Sequence, residues 1–103
     1  MLIAFSVAPS GSDGSTGSVS EAVAVAVRIV RDSGLPNRTD SMFTTIEGSW
    51  DECMDVVRRA CEAIGDFGPR VSLVLKADIR PGFEEELTAK VERLEQVLGR
   101  QEG

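Results

Sequence analysis

Apolar residues run almost unbroken from Leu2 to Ala8, the pattern of a central strand buried on both faces. Pro9 has no amide hydrogen to donate and is expected to end that strand. Ser18 and Glu21 form a capping box that opens a helix over 19–32. Its stripe of Val19, Val23, Ala26, Val27 and Val30 is widened by Ala22, Val25 and Ile29, so the helix is expected to touch more than its own sheet. Gly34 is its natural C-terminal cap and Pro36 blocks continuation. Polar residues 37–42 read as an edge strand and turn, and Phe43–Glu47 as a β-branched strand. Gly48 supplies backbone freedom, and Ser49 with Glu52 makes a second capping box, opening a helix over 50–67. Trp50, Cys53, Met54, Val57, Ala60, Cys61 and Ile64 are its expected buried face. Residues 70–80 alternate strictly: Val71, Leu73, Leu75, Ala77 and Ile79 on one side, Ser72, Val74, Lys76, Asp78 and Arg80 on the other. After Pro81–Gly82, the seam Phe83, Leu87, Val91, Leu94, Leu98 predicts a third helix over 83–98, with a frayed tail over 99–103.

This order, β-α-β-β-α-β and then a helix, is the ferredoxin-like split βαβ arrangement, an α+β sandwich in one domain spanning 1–103. The first strand and the 43–47 strand are expected to be central, with both main helices on one sheet face. The other face would carry Leu2, Ala4, Ser6, Phe43, Thr45, Glu47, Val74, Lys76 and Asp78. It is too apolar to stand bare in water, which predicts cover by the third helix or sheet-to-sheet packing in a homodimer or homotetramer.

Composition narrows the function. A net charge of −6 argues against nucleic acid as a partner. No apolar run approaches the ~20 residues that span a bilayer, and no basic, apolar leader is visible. Cys53 and Cys61 lie eight residues apart on one expected helix, roughly 12 Å along its axis, too far for a disulfide. Two thiols kept apart in this way suit a reducing cytoplasm. With no histidine and two cysteines, a structural zinc site is not expected, nor is any other cofactor.

One side chain stands out. If Thr44 and Ile46 face the core, Glu47 points to the opposite face of a central strand, where an unpaired charge is costly. Its partner is either a ligand or Lys76 across the open face. Thr44 and Thr45 offer hydroxyls or simply β-propensity. Trp50 is a core anchor, a helix staple or a ligand platform. The loop Ser10–Gly17 is a connector or a ligand-contacting segment. It is not a phosphate loop, because the Lys-Ser/Thr ending is missing.

Three stretches, taken together, resemble the family of small thiamine-binding proteins with a ferredoxin-like fold. They are Ile3-Ala-Phe-Ser-Val-Ala-Pro9 with the loop after it, Ser18-Val-Ser20, and Met42-Phe-Thr-Thr-Ile-Glu-Gly48. The resemblance implies non-catalytic binding of thiamine or its pyrimidine or thiazole fragments at the open face or a subunit interface. The ligand-binding residues would be Glu47, Thr44, Thr45, Ser6, Pro9 and Ser18. A carboxylate suits a cationic thiazolium or an aminopyrimidine donor.

Two other classes compete. An assembly or regulatory module would use the open face only to join subunits. A carboxylate-based hydrolase would need Glu47 and Asp78, but no nucleophile–base pair of recognisable spacing supports an enzyme.

Overall fold

The structure, a computed structural model, describes residues 1–10, 19–81 and 86–102. Its elements are β1 (Leu2–Ser10), α1 (Val19–Asp32), β2 (Asn37–Thr39), β3 (Thr44–Glu47), α2 (Trp50–Ile64), a 3-10 turn (Gly65–Phe67), β4 (Arg70–Asp78) and α3 (Glu86–Glu102). The four strands form one antiparallel sheet in the order β2-β3-β1-β4, the ferredoxin-like topology, with β1 and β3 central.

The alternation expected of β1 holds. Ile3, Phe5 and Val7 are buried, whereas Leu2, Ala4 and Ser6 are half-buried on the other face. Ala22, Ala26 and Val30 of α1 and Cys53, Val56, Val57, Ala60 and Ile64 of α2 close the core over them. Trp50 departs from expectation: it is 54% exposed, and the buried stripe of α2 begins only at Cys53. Val56 takes a core place that the sequence pattern had not assigned.

Local chemistry explains the element ends. Ser49 and Glu52 make the expected reciprocal box: the Glu52 amide donates to Ser49 Oγ at 3.2 Å and the Ser49 amide donates to Glu52 Oε1 at 3.0 Å. Gly34 ends α1 with φ +79°, a conformation that a side chain would strain. Gly48 has an ordinary backbone angle but little room for a side chain. A Cβ there would meet Leu35 Cδ2 at 3.3 Å and Cys53 Sγ at 3.4 Å. Pro9 does not end β1; it pairs with Val71 inside the strand. The register of β3 stops at Phe5, so the missing amide costs no bond on that side.

The Ser49 backbone bond holds the Glu52 carboxyl below its ordinary range. A lowered folded-state value adds stability that is complete above the unfolded carboxylate range and is lost as pH falls through the folded value. Ser49→Ala keeps that amide but loses the Oγ cap on the Glu52 amide, and is expected to lower Tm by about 4–8 °C. Glu52→Ala removes the carboxylate instead, so its melts should fall below the parent's at neutral pH and converge with them under acid conditions, where the box no longer holds a carboxylate.

Candidate functional site

Two places bring the expected site residues together, and they lie on opposite faces of the sheet.

The first is the end of the open face. Leu2 pairs with Glu47 on one side and with Asp78 on the other, so the two carboxylates flank one β1 residue in a single cross-strand row. Glu47 is only 8% exposed. Its Oε1 accepts a hydrogen bond from the Leu87 amide at 3.3 Å, in the first turn of α3. A helix N-terminus leaves amide donors unmatched and favours negative charge, so Glu47 anchors α3 to the sheet. Asp78 pairs with Lys90 one turn further along that helix. Lys76 lies in the next row, with Ala4 and Thr45. The third helix thus covers the Glu47 end of the open face. Beyond its first turn, Val91, Leu94 and Leu98 are 41–56% exposed, so most of the expected seam meets solvent. Phe83 lies outside the described residues.

The second place is a cavity of about 210 Å³ between α1, β1 and the turn joining β2 to β3. Its apolar wall is Phe5, Val7, Val23, Ala26, Val27 and Val30; its polar rim is Ser6, Thr39, Asp40, Ser41 and Thr44. The sheet register explains why it exists. β3 pairs with β1 only from Leu2 to Phe5, and among the described residues no strand continues along that edge past Phe5. The chain from Asp40 to Phe43 instead folds into a tight turn, closed by the Asp40 amide on the Phe43 carbonyl at 2.9 Å. The Thr44 and Thr39 hydroxyls are 3.5 Å apart at the rim. Asp40 carries the charge there, with Arg38 Nε at 3.6 Å.

Thr44 therefore reaches the cavity with its side chain, whereas Ser6, whose side chain alternates to the open face, borders it along the strand. Thr45 and Glu47 do neither; both alternate to the open face. Pro9 is half-buried one residue beyond the cavity lining, and Ser18 and Gly11–Gly17 lie outside the described residues. Asp40, Ser41 and Met42 fall in the stretch expected as an edge and turn, and Phe43, expected to open the next strand, lies in the turn instead, since β3 begins at Thr44. The signal that could have marked them is a short polar stretch between two strands of unequal length, which leaves a gap along the longer neighbour. Both thiols are poor nucleophiles, because burial raises Cys53 and Cys61 above the usual thiol range.

The sequence model of the family described as thiamine-binding protein matches residues 3–95. The UPF0045 protein of Mycobacterium bovis is 52% identical over 103 residues, covering 99% of this chain and 98% of that relative. The domain of unknown function DUF77 from Bacillus cereus shares the fold at TM-score 0.72 and 33% identity, over 82% of each chain. A Thermotoga maritima protein, proposed to act in thiamine biosynthesis or salvage, superposes at TM-score 0.71 and 24% identity, covering 88% of this chain and 96% of its own; at that identity the likeness shows the fold. The motifs on β1 and β3 and the matching topology lead to the same result: the chain belongs to the thiamine-binding protein family.

Proposed function

We propose that this protein binds the pyrimidine or thiazole moiety of thiamine, without catalysis, in the cavity beside β1. One observation carries the reading. The cavity sets an apolar wall of valines and Phe5 against the Thr44 hydroxyl, the polar turn at Asp40 and Ser41, and the strand edge that β3 leaves unpaired. A flat heterocycle with a hydrogen-bonding rim has that same division. Phe5 and the valines would hold the ring faces. The Thr44 hydroxyl and the free edge of β1 at Ser6 would meet its ring nitrogens and amino group. Asp40 supplies the negative charge that a thiazolium or protonated amine needs. Pro9 and Ser18 flank this edge in sequence and are assigned to its border. At about 210 Å³ the space is smaller than the ~300–1,000 Å³ of sites for drug-sized ligands, so it encloses one ring.

A second reading rests on the burial of Glu47. There the ligand lies on the open face, against Glu47 and Thr45, and displaces part of α3. Self-association over the exposed part of that face and residence in the cytoplasm complete both readings. No helix among the described residues is long and apolar enough to cross a membrane.

The test is a thermal shift with thiamine, thiamine phosphate, the aminopyrimidine and the thiazole alone. A ligand at 100-fold over its Kd is expected to add about 2.7 kcal/mol, on the order of 10 °C in Tm for a domain of this size. Thr44→Val should remove the shift while Glu47→Gln keeps it. The reverse outcome assigns the ligand to the open face. No shift with any of the four at millimolar concentration leaves an assembly module.

A further inference from the structure

Three large apolar side chains that meet solvent are gathered at the mouth of the cavity: Val23 of α1 at 40% exposure, Phe43 at 36% and Met42 at 76%. Met42 is the most exposed large hydrophobic residue among those described. It stands with Ser41 at the tip of the turn that the Asp40 amide closes on the Phe43 carbonyl at 2.9 Å. The backbone there is held, while the methionine side chain, unbranched and with three rotatable bonds, is left free to turn. One exposed apolar residue needs no explanation, but a cluster at the rim of an apolar-walled cavity marks a contact.

The size of the cavity says what is contacted. At about 210 Å³ it encloses one ring, so a ligand of two linked heterocycles leaves the second at the mouth, between the turn and α1. Charge says which ring that is. Phe5, Val7, Val27 and Val30 on the wall offer a cation nothing to offset the loss of water, and burying an unpaired charge is costly. Negative charge lies at the rim, on Asp40, whose side chain is 62% exposed and whose pair with Arg38 is long, at 3.6 Å. We infer that the cavity takes the neutral aminopyrimidine of thiamine and that Met42 closes over the thiazolium left outside, beside the Asp40 carboxylate. The inference rests on the cavity reading above and adds to it a residue that selects linked rings over either ring alone. A thioether sulfur is polarisable and packs well against a ring, and its flexible stem follows the ring as it docks. An isolated pyrimidine, enclosed in the cavity, does not reach that contact.

The experiment is isothermal titration calorimetry on the full chain with thiamine, the isolated aminopyrimidine and the isolated thiazolium, for the parent, Met42→Ala and Met42→Leu. The parent is expected to bind thiamine more tightly than the pyrimidine. Met42→Ala should weaken thiamine by about tenfold and leave the pyrimidine within about twofold; Met42→Leu, which keeps the apolar reach, should recover most of the loss. Because Met42 is exposed, Tm without ligand should stay at the parent's in both variants. Peroxide oxidation read by mass spectrometry gives a measure that needs no variant. Saturating thiamine should slow sulfoxide formation at Met42 and leave the half-buried Met54 unchanged, whereas saturating pyrimidine should slow neither.

Equal losses for thiamine and pyrimidine in Met42→Ala, or none for thiamine, overturn the inference while the cavity reading stands. So does Met42 oxidised at one rate with and without thiamine, or a parent that binds the thiazolium and not the pyrimidine. A parent that binds none of the three compounds ends the cavity reading itself, and this inference with it.

Discussion

Phe5→Ala is expected to destabilise the protein by about 3–5 kcal/mol. Phe5 is 2% exposed and sits at the crossing of three strands, opposite Thr44 on β3 and Leu75 on β4. Its ring also forms part of the cavity wall, so truncation merges the void left behind with space already present. The surroundings cannot collapse onto it, because the backbone on both sides is tied into the ladder. A domain of this length has about 5–15 kcal/mol to lose. The change should lower Tm by on the order of 20 °C, at about 4–8 °C for each kcal/mol. Urea denaturation monitored through Trp50 measures it. A loss below about 1 kcal/mol would mean that the helix-facing side of β1 is not a closed core.

Val23→Trp is the second large effect, on binding rather than folding. Val23 lines the cavity from α1 and is 40% exposed, so a larger side chain enters from the rim without displacing core residues. An indole is of a size to occupy most of a one-ring space. Melting temperature without ligand is expected to stay within about 3 °C of the parent, since surface changes cost about ±0.5 kcal/mol. The ligand-induced shift of about 2.7 kcal/mol should disappear. If the variant keeps the full shift, the ligand does not use this cavity, and the Glu47 end of the open face becomes the site.

Both predictions depend on how much of the site could be read along the chain. Ser6 and Thr44 were legible because strand periodicity and a hydroxyl beside an apolar run are local signals. Asp40 and Phe43 were not. Their importance comes from β3 being shorter than β1, and a mismatch between two strands is visible only once their register is known. Glu47 was legible as a carboxylate in need of a partner, but its neighbour in the fold, the Leu87 amide, is 40 residues away in sequence. No spacing rule connects a strand residue to the first turn of a helix that arrives later from across the sheet. The reading of Trp50 failed for a related reason: a period of 3.6 says which face of a helix is apolar, not at which residue the core beneath it begins.

Alternation along β1 and β4, the stripes of α1 and α2, the Ser49–Glu52 box and Gly34 are short-range consequences of residue type. Together with element order they determined the ferredoxin-like sandwich and the face on which Glu47 would emerge. Tertiary structure decided what those elements leave open: the gap beside Ser6 and the anchoring of α3 on Glu47 and Asp78. Each is a question of where one element ends relative to another, and that is set by packing and register across long loops, which no local pattern encodes.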